Sequence, residues 1–502
     1  MQIHPEFSDF EAGYKAGKNQ VVWTRLVADL DTPVSLYMKT AAASKDSFML
    51  ESVTGGEVRG RYSFLGMKPD LIWRANGNAA EINRAARYAD NFDPCGETLS
   101  SLRALIDESR IDLPETLPPM SAGLFGYLGY DTIRLVEHLP NVNPDTLGLP
   151  DAIMLRPTIV VVLDGVKGEV TVISPVWAND GQTARAAYAQ AAERVAEAVR
   201  DLDRDVPNQT RDLDDQTFEL NPVSNTTKDE YFAIVEKAKD YIRAGDIFQV
   251  VPSQRWAQKF DLPPFALYRA LRRTNPSPYM FFFNLGDFQI VGASPEILVR
   301  VQGSKVTIRP IAGTRPRGSN EAEDKALEAD LLSDPKEMAE HLMLLDLGRN
   351  DVGRVAKIGT VDPNEQFIIE RYSHVMHIVS NVDGKLRDDY DALAALLAGL
   401  PAGTVSGAPK VRAMEIIDEL EKEKRGVYGG GVGYFSAGGD MDICIALRTA
   451  VIKDETLYVQ AGGGVVYDSD PEAEYQETIN KSKALMKAAE DAGMFVKFKG
   501  GQ

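Results

Sequence analysis

Hydrophobic and polar positions in the N-terminal part of the chain predict a hairpin followed by a helix. Residues 158–173, "TIVVVLDGVKGEVTVI", form two β-rich runs around a glycine-containing turn, which is the pattern of a β-hairpin. The next stretch, "TARAAYAQAAERVAEAVRDL", is Ala-rich and has helical spacing. From Asp201 to Glu230 the pattern fades, because nine acidic residues and two prolines occur with few large apolar side chains. This change of composition indicates a linker.

A second set of elements is predicted after the linker. Thr227 and Glu230 form a capping box, and Gly245 is expected to end the helix that follows. A further helix is predicted at "DALAALLAGL", and strands at "MFFFNLGDFQIVGAS", "MDICIALRTAVI" and "TLYVQAGGGVVY". The chain is therefore divided into an N-terminal region at residues 1–200, an acidic linker at residues 201–226 and a C-terminal region at residues 227–502.

The predicted strand "DICIALRTAV" carries an unusual pair of faces. Alternation sends Ile443, Ile445 and Leu447 to one face and Cys444, Ala446 and Arg448 to the other. A guanidinium beside small side chains suits capture of a carboxylate, although an edge-strand arginine in water has the same pattern. The following strand ends in Gly462, Gly463 and Gly464, which predicts either close backbone approach to a ligand or a bulge.

Two pairs of acidic residues sit one helical turn apart on separate predicted helices. They are Glu337 and Glu340 in "DPKEMAEHLM", and Glu474 and Glu477 in "DPEAEYQETINK". Like charges at this spacing repel by only about 0.2–0.5 kcal/mol on an exposed helix, so two solvated faces would explain them. A hard cation between the two helices is the alternative, and few ligands with an anionic substrate favour Mg²⁺.

Composition excludes several classes of partner and compartment. The 55 basic and 74 acidic residues give a net charge of −19, which makes nucleic acid and anionic membranes poor partners. The two cysteines, Cys95 and Cys444, form no CxxC motif, so a cytoplasmic location is expected. No apolar run approaches the ~20 residues that cross a bilayer.

Eight motifs in the C-terminal region carry a resemblance to a known family. They are "GDIFQVVPSQ", "GASPE", "PIAGTRPRG", "EHLMLLDLGRND", "LPAGTVSGAPK", "ALRTA", "QAGGGVV" and "EYQETINK". With them the chain resembles the chorismate-utilising enzymes that form anthranilate, over nearly its whole length. The resemblance implies an α+β fold of two large antiparallel β-sheets packed as a sandwich with outer helices. It also implies regulation in residues 1–200 and catalysis in residues 227–502.

The resemblance further implies a Mg²⁺ ion between the two acidic helices, where it binds the ring carboxylate of chorismate. Glu340 and Glu477 match direct ligands, and Glu337 and Glu474 match residues that reach the waters of the ion. The implied reaction adds ammonia to chorismate and releases pyruvate to give anthranilate, the first step of tryptophan biosynthesis.

The family has its active site in a cleft of the C-terminal region, and the resemblance implies roles for residues there. Glu296 in "GASPE" matches the general acid that protonates the departing hydroxyl. The apolar surroundings of His377 alone would predict a core histidine. In the family it matches a residue of the elimination step, which acts as a base or as an orienting group. Thr404 is placed with the catalytic residues. The substrate-binding positions are Gly313, Thr314, Tyr428, Arg448, Gly462, Gly463, Gly464 and Lys481.

Two positions discriminate within the family. Gln249 stands where relatives that add water carry a lysine base, and Ala312 stands where aminodeoxychorismate synthases carry a nucleophilic lysine. Both favour anthranilate as the product. Two alternatives stay open at this point: component I of aminodeoxychorismate synthase, and a catalytically silent amino-acid-sensing subunit.

Regulation and ammonia supply are implied in the same way. The element "LES" with Glu51 and Ser52, and Pro278, Tyr279 and Met280 of "NPSPYM", match a pocket for tryptophan as feedback inhibitor, although "NPSP" alone predicts only a turn. No cysteine has the glycine-flanked setting of a glutaminase nucleophile. A separate glutamine amidotransferase subunit is therefore the expected source of ammonia.

Overall fold

A computed structural model describes residues 1–52, 60–140, 142–178, 181–207, 210–211, 220–372 and 375–498. The helices are α1 Phe7–Lys15, α2 Pro33–Thr40, α3 Thr98–Glu108, α4 Ala184–Leu202, α5 Lys228–Ala244, α6 Pro264–Thr274, α7 Glu321–Ser333, α8 Pro335–Gly353, α9 Ala392–Gly399, α10 Lys410–Leu420 and α11 Pro471–Asp491. The strands are β1 Gln20–Val27, β2 Ser47–Glu51, β3 Tyr62–Asn76, β4 Ala79–Asn83, β5 Asp93–Gly96, β6 Gly123–Leu128, β7 Ala152–Asp164, β8 Glu169–Val176, β9 Thr210–Arg211, β10 Val223–Ser224, β11 Gln249–Val250, β12 Ser253–Lys259, β13 Tyr279–Asn284, β14 Phe288–Ser294, β15 Ile297–Gln302, β16 Lys305–Ile308, β17 Ile311–Pro316, β18 Asp362–Arg371, β19 Val375–Lys385, β20 Gly407–Ala408, β21 Gly431–Ser436, β22 Met441–Ile445, β23 Thr449–Lys453, β24 Thr456–Gly462 and β25 Lys497–Phe498.

Local sequence patterns explain several of these elements. The predicted hairpin is β7 and β8, in which Val160 pairs with Ile173. The predicted capping box begins α5: the Glu230 N–H donates to Thr227 Oγ1 at 3.3 Å, and the Thr227 N–H donates to Glu230 Oε2 at 2.8 Å. Gly245 ends the helix with a φ of 85°, as predicted.

The strands build two antiparallel layers that face each other. One layer runs β1-β8-β7-β3-β2-β13-β14-β23-β24-β12-β10, and the other runs β5-β4-β3-β7-β6-β21-β22-β15-β16-β19. The long strands β3 and β7 bend and take part in both. Aromatic side chains meet between the layers, where the ring of Phe48 lies 4.5 Å from that of Phe125 and 5.5 Å from that of Phe283.

Helices cover the outer face of each layer. Leu271 of α6 and Leu485 of α11 share a buried cluster with residues of the first layer, and Leu105 of α3 and Leu396 of α9 share one with residues of the second. The predicted α+β sandwich with outer helices is thereby confirmed. No helix in the described ranges is long and apolar enough to span a membrane.

The two halves of the sequence contribute strands to the same layers. β2 from the N-terminal half pairs with β13, where Glu51 faces Met280, and β6 pairs with β21, where Phe125 faces Tyr434. The proposed regions 1–200, 201–226 and 227–502 therefore do not correspond to separate sheets. A division of regulation and catalysis between these regions stays a prediction.

One continuous strand was predicted for "DICIALRTAV", and this prediction was wrong. Cys444 and Ala446 face the space between the layers and Ile443 and Ile445 face outward, as alternation predicted. The strand ends at Ile445, however, because the chain crosses there from the second layer to the first. Arg448 lies in this crossover with a φ of 48°, so it belongs to no strand face.

Candidate active site

Two crossovers between the layers lie side by side at the base of a cleft. Glu296 follows β14 of one layer and precedes β15 of the other, and Arg448 occupies the matching crossover between β22 and β23. The backbones are tied together, because Ala293 N donates to Arg448 O at 3.1 Å and Ile445 N donates to Glu296 O at 3.0 Å. The predicted acid and the predicted cation therefore share one rigid support.

Glu296 is a buried carboxyl group, 6% exposed. Burial raises its pKa to about 8, against the opposing effects of a hydrogen bond from Thr404 and the charge of Arg448. The Thr404 hydroxyl, in the short 3₁₀ turn Gly403–Val405, donates to Glu296 Oε2 at 3.1 Å. At neutral pH Glu296 therefore carries a proton that it can donate.

Arg448 faces the same space as a cation without a close counterion. Burial lowers its pKa, and the Tyr428 hydroxyl and the Glu477 carboxylate oppose this shift. No carboxylate of the described ranges forms an ion pair with it within 4.0 Å. A guanidinium without a close counterion is available for an anionic ligand.

His377 lines the cleft rather than the core. Its Nδ1 lies 2.8 Å from the carbonyl oxygen of Gly313 and 3.2 Å from the hydroxyl of Thr314. A carbonyl can only accept, so we assign the ring proton to Nδ1, which leaves the lone pair on Nε2. Burial lowers the pKa of His377, so the neutral ring is favoured. Gly313 has a φ of 68°, a backbone conformation that disfavours any side chain at this position.

Gly462, Gly463 and Gly464 bring the backbone close to the cleft. The pairing of β12 with β24 runs to Gly462 without a register shift, so the alternative of a bulge is not observed there. A Cβ on Gly462 would lie 2.7 Å from the backbone carbonyl oxygen of Pro252, which explains the absence of a side chain there. Lys481 Nζ donates to Gly462 O at 3.0 Å, and the backbone of Gly462 donates to the Tyr428 hydroxyl, whose pKa burial raises to about 12.

The acidic residues of α8 and α11 face one another across the cleft. Burial, and then the neighbouring charge of Glu337, raises the pKa of Glu340, and Glu477 adds to this effect. Glu474 is 7% exposed and its Oε2 is buried without a hydrogen-bond partner. Glu477 forms an ion pair with Lys481 at 2.6 Å. Glu474 is buried and Glu340 is half-buried, whereas the Glu477 side chain is 45% exposed, so the like charges lie partly inside the protein.

The donor set suits a hard divalent cation. Within the described residues no group of three or more His, Cys, Asp or Glu side chains is assembled to hold a metal ion. Mg²⁺ does not need such a group, since it commonly uses one or two carboxylates together with waters and substrate oxygens. The buried unpartnered oxygen of Glu474 and the raised pKa of Glu340 fit a site that a cation would complete.

The residues predicted to bind tryptophan lie together at the β2–β13 pair, where strands of the two halves meet. Glu51 of β2 faces Met280 of β13, next to Ser52, Pro278 and Tyr279. The carboxylate of Glu51 is buried and already accepts hydrogen bonds from the Tyr268 hydroxyl and, at 2.6 Å, from Arg272 Nε. Tyr279 accepts from Arg300 at 2.9 Å. Residues 53–59, which follow Ser52 in the chain, lie outside the described residues.

Sequence reasoning missed three contributors to the cleft. Gln249 was used only to discriminate relatives, yet its Nε2 donates to Glu340 Oε1 at 3.4 Å. Arg315, one residue after Thr314, pairs with Glu337 at 3.2 Å. Arg425 donates at 2.5 Å to the carbonyl oxygen of Val405, the residue after Thr404.

The sequence contains only weak signals that these residues contribute to the site. Arg315 lies inside the motif "PIAGTRPRG" and so could have been suspected. Arg425 and Glu421 stand in the charged run "ELEKEKRGVY", which on its own predicts an exposed segment.

Comparisons with known proteins agree with this geometry. A family model described as chorismate binding enzyme matches residues 48–487. Anthranilate synthase component 1 of Cereibacter sphaeroides is 72% identical over 493 residues, covering 98% of this chain and 98% of that protein. The Pseudomonas aeruginosa protein of the same name is 51% identical over 466 residues, covering 92% and 94%. The crystal structure of anthranilate synthase component I from Streptococcus pneumoniae TIGR4 superimposes with a TM-score of 0.75 at 40% identity and covers 87% of this chain and 94% of that one.

The chain therefore belongs to the chorismate-binding enzyme family. Within that family it belongs to the anthranilate synthase component 1 enzymes, which are carbon–oxygen lyases. These relatives favour neither aminodeoxychorismate synthase nor a silent sensing subunit.

Proposed function

We propose that the chain converts chorismate and ammonia to anthranilate and pyruvate as the first step of tryptophan biosynthesis. Ammonia adds at ring C2 while the C4 hydroxyl leaves as water, and loss of the C2 proton with cleavage of the C3–oxygen bond then releases pyruvate. The names of the relatives support the product, and the cleft supplies groups for each step.

The observation that carries this proposal is the burial of Glu296, which is 6% exposed. A hydroxyl leaves poorly unless it gains a proton, and Glu296 holds one at neutral pH because burial raises its pKa to about 8. The Thr404 hydroxyl fixes the carboxyl group at 3.1 Å. Glu296 donates its proton to the departing oxygen, and water leaves.

Cations and backbone groups account for binding of the anionic substrate. Arg448 lacks a close counterion, and Lys481 lies beside Gly462, so both are placed to attract the carboxylate of the pyruvyl side chain. The lone pair on His377 Nε2 can take up the C2 proton, since Nδ1 is committed to the Gly313 carbonyl.

We propose Mg²⁺ as the cofactor, held by Glu340 and Glu477 with Glu337 and Glu474 near its waters. The donor set is all oxygen, and the buried unpartnered Oε2 of Glu474 supports a cation there. When bound, the ion neutralises the acidic residues and supplies positive charge for the ring carboxylate of the substrate.

Ammonia is proposed to come from a glutamine amidotransferase subunit. Component 1 in the names of the relatives implies a second component for those proteins. In this chain Cys444 lies in the buried space between the layers, where burial raises the pKa of its thiol, so it makes a poor nucleophile. A cytoplasmic location is proposed because Cys95 and Cys444 are both free thiols. The absence of nucleic-acid or membrane partners is proposed from the net charge of −19.

The product assay tests the central proposal. We expect purified chain with chorismate, Mg²⁺ and ammonium to yield fluorescent anthranilate and one equivalent of pyruvate. Glu296→Gln should lower the rate by about 10²-fold or more, since an amide cannot act as the acid. A non-fluorescent aminated chorismate as the end product would contradict the proposal.

Tryptophan is proposed as a feedback inhibitor that binds beside Ser52 and Met280. The support is the antiparallel pairing of β2 with β13, which brings the predicted pocket residues together. Ser52→Ala should weaken inhibition by tryptophan about tenfold with little change in turnover, as loss of one hydrogen bond to a charged ligand would. Unchanged inhibition curves would remove Ser52 from the pocket.

A further inference from the structure

A cavity of about 410 Å³ lies in the N-terminal region, away from the cleft. Its walls come from β3, β7 and β8 and from the helices α3 and α4, and its lining residues fall between Asn19 and Arg194. None of them belongs to the proposed active site, whose residues lie between Gly313 and Lys481 apart from Gln249 and Glu296. The volume is within the range of about 300–1,000 Å³ that is usual for small-molecule sites.

Most of the charge on the cavity wall is already paired. Arg156 donates to both oxygens of Asp70, at 3.1 and 2.7 Å, and to Glu108 at 3.0 Å. Arg84 donates to both oxygens of Glu108 at 2.7 Å. Two guanidinium groups and two carboxylates thus neutralise each other, and this network has no charge left for a ligand.

Two donors on the same wall remain unused. Arg194 Nε and Trp177 Nε1 are buried atoms without a hydrogen-bond partner. Throughout the described ranges Arg194 forms no ion pair within 4.0 Å. Burial and the charge of Arg87 lower its pKa, and the more distant carboxylate of Asp70 opposes this shift. An arginine stays charged even in such surroundings. The cavity lining therefore includes one guanidinium without an ion-pair partner and one unused indole N–H.

The rest of the lining has an apolar part next to the polar side chains of Asn19, Thr158, Gln182 and Gln190. The indole of Trp177 stacks with the guanidinium of Arg156 at 4.3 Å, and Pro175, Val176 and Ala187 line the cavity nearby. A ligand that satisfies these walls has one anionic acceptor group and a compact apolar body.

We propose that this cavity binds a small aromatic monocarboxylate, whose carboxylate accepts hydrogen bonds from Arg194 and Trp177. The monoanion matches the single guanidinium without an ion-pair partner, and the two unused N–H donors can each serve one oxygen of a carboxylate. A planar ring fits against the apolar wall. In a protein with a net charge of −19, this local positive site selects for the anion rather than for its neutral analogue.

The indole signals of the full-length chain provide the test, with benzoate as the probe. The chain has four tryptophans, Trp23, Trp73, Trp177 and Trp256, so ¹⁵N-indole labelling gives a simple spectrum in which Trp177→Phe assigns one signal. Benzoate at up to about 10 mM, a range that detects weak binding, should shift the Trp177 signal in a saturable way. Benzamide, which has the same shape without the charge, should bind about tenfold more weakly or less.

Variants of α4 decide whether Arg194 is responsible. Arg194→Gln should weaken the benzoate response of Trp177 at least tenfold, Arg194→Lys should retain part of it, and Arg200→Gln on the same helix should leave it unchanged. The melting temperatures and anthranilate-forming rates of these variants should match the original chain, since Arg194 pairs with no described residue. An unshifted Trp177 signal, or an equal response in Arg194→Gln, would overturn the proposal and leave a cavity filled by water.

Discussion

Glu296 shows how a single residue acquires its chemistry from burial. An exposed glutamate is ionised at neutral pH, whereas this side chain has a pKa of about 8 because few water molecules reach it. The nearby charge of Arg448 and the hydroxyl of Thr404 oppose this shift without abolishing it. The acid therefore stays protonated beside a cation, and the pair is ready for an anionic substrate that carries a leaving hydroxyl.

The raised pKa of Glu296 predicts a pH dependence with a definite sign. At a fixed concentration of free ammonia, the rate should fall as pH rises through about 8, because the proton of Glu296 is lost there. Stability should follow the same direction: a carboxyl whose pKa is raised in the folded state contributes most below its unfolded value and loses this contribution as pH rises through about 8.

Glu296→Gln provides the control for both effects. The variant should melt at a higher temperature than the original chain, with a larger difference at pH 9 than at pH 6. Calorimetry at the two pH values measures this. An equal difference at both would mean that Glu296 does not titrate in this range.

Arg425 is a positioning residue that acts through the backbone near Thr404. It is buried, donates at 2.5 Å to Val405 O and at 2.6 Å to Val251 O, and pairs with Glu421 at 2.5 Å. Arg425→Lys should lower kcat about tenfold or more, since an ammonium cannot reproduce three directions of hydrogen bonding.

The matched control for Arg425 is Arg412→Lys, in the neighbouring helix α10, where the guanidinium is half-exposed and pairs with Asp246 and Glu415. That variant should keep its kcat, as exposed ion pairs contribute little. To separate positioning from folding, kcat should be measured well below the melting temperature of each variant. Similar losses in both variants would argue against a specific role for Arg425.

At the scale of elements, α8 and α11 present their acidic residues to each other. The sequence predicted the helices and the facing carboxylates from spacing and family motifs, because both signals are local in the chain. It could not predict that Arg315 would reach Glu337, since that contact depends on how β17 packs on α8. It also missed the left-handed Arg448, because a φ of 48° at an arginine is set by the crossover and not by residue preference.

Repulsion between α8 and α11 predicts opposite effects of one substitution with and without Mg²⁺. In chelator, Glu340→Gln should raise the melting temperature, because it removes a buried charge whose pKa is raised by burial and by Glu337. The stabilisation that Mg²⁺ gives to the original chain should be largely lost, with an affinity weakened about 10–100-fold.

Glu472→Gln is the control on the same helix, because Glu472 faces outward and pairs with Lys228. Its response to Mg²⁺ should equal that of the original chain in thermal melts and in magnesium titrations of activity. If Glu340→Gln kept the full response to Mg²⁺, the proposed ligand set would be wrong.

At the scale of the whole molecule, the two halves of the sequence complete each other. β2 pairs with β13 and β6 pairs with β21, so each half leaves strand edges that the other covers. The sequence predicted the sandwich through the family resemblance, but the acidic segment 201–226 suggested a cleaner boundary than the strand pairing allows. Composition indicates which segments are exposed, whereas pairing between strands that are hundreds of residues apart produces no local sequence pattern.

This interleaving predicts that the halves cannot be separated. A fragment of residues 1–226 should lack cooperative unfolding and should be degraded readily, because β2 and β6 lose their partners. Calorimetry of the full chain should show one transition, and co-expression with residues 227–502 should restore protection from protease. A fragment that melts cooperatively by itself would contradict this prediction.

The paired crossovers at Glu296 and Arg448 protect the chemistry from small shifts of one sheet relative to the other. The backbones of the two crossovers are hydrogen-bonded to each other, so a shift carries the acid and the cation along together and preserves their separation. Turnover under mild pressure should therefore change little until the protein begins to unfold.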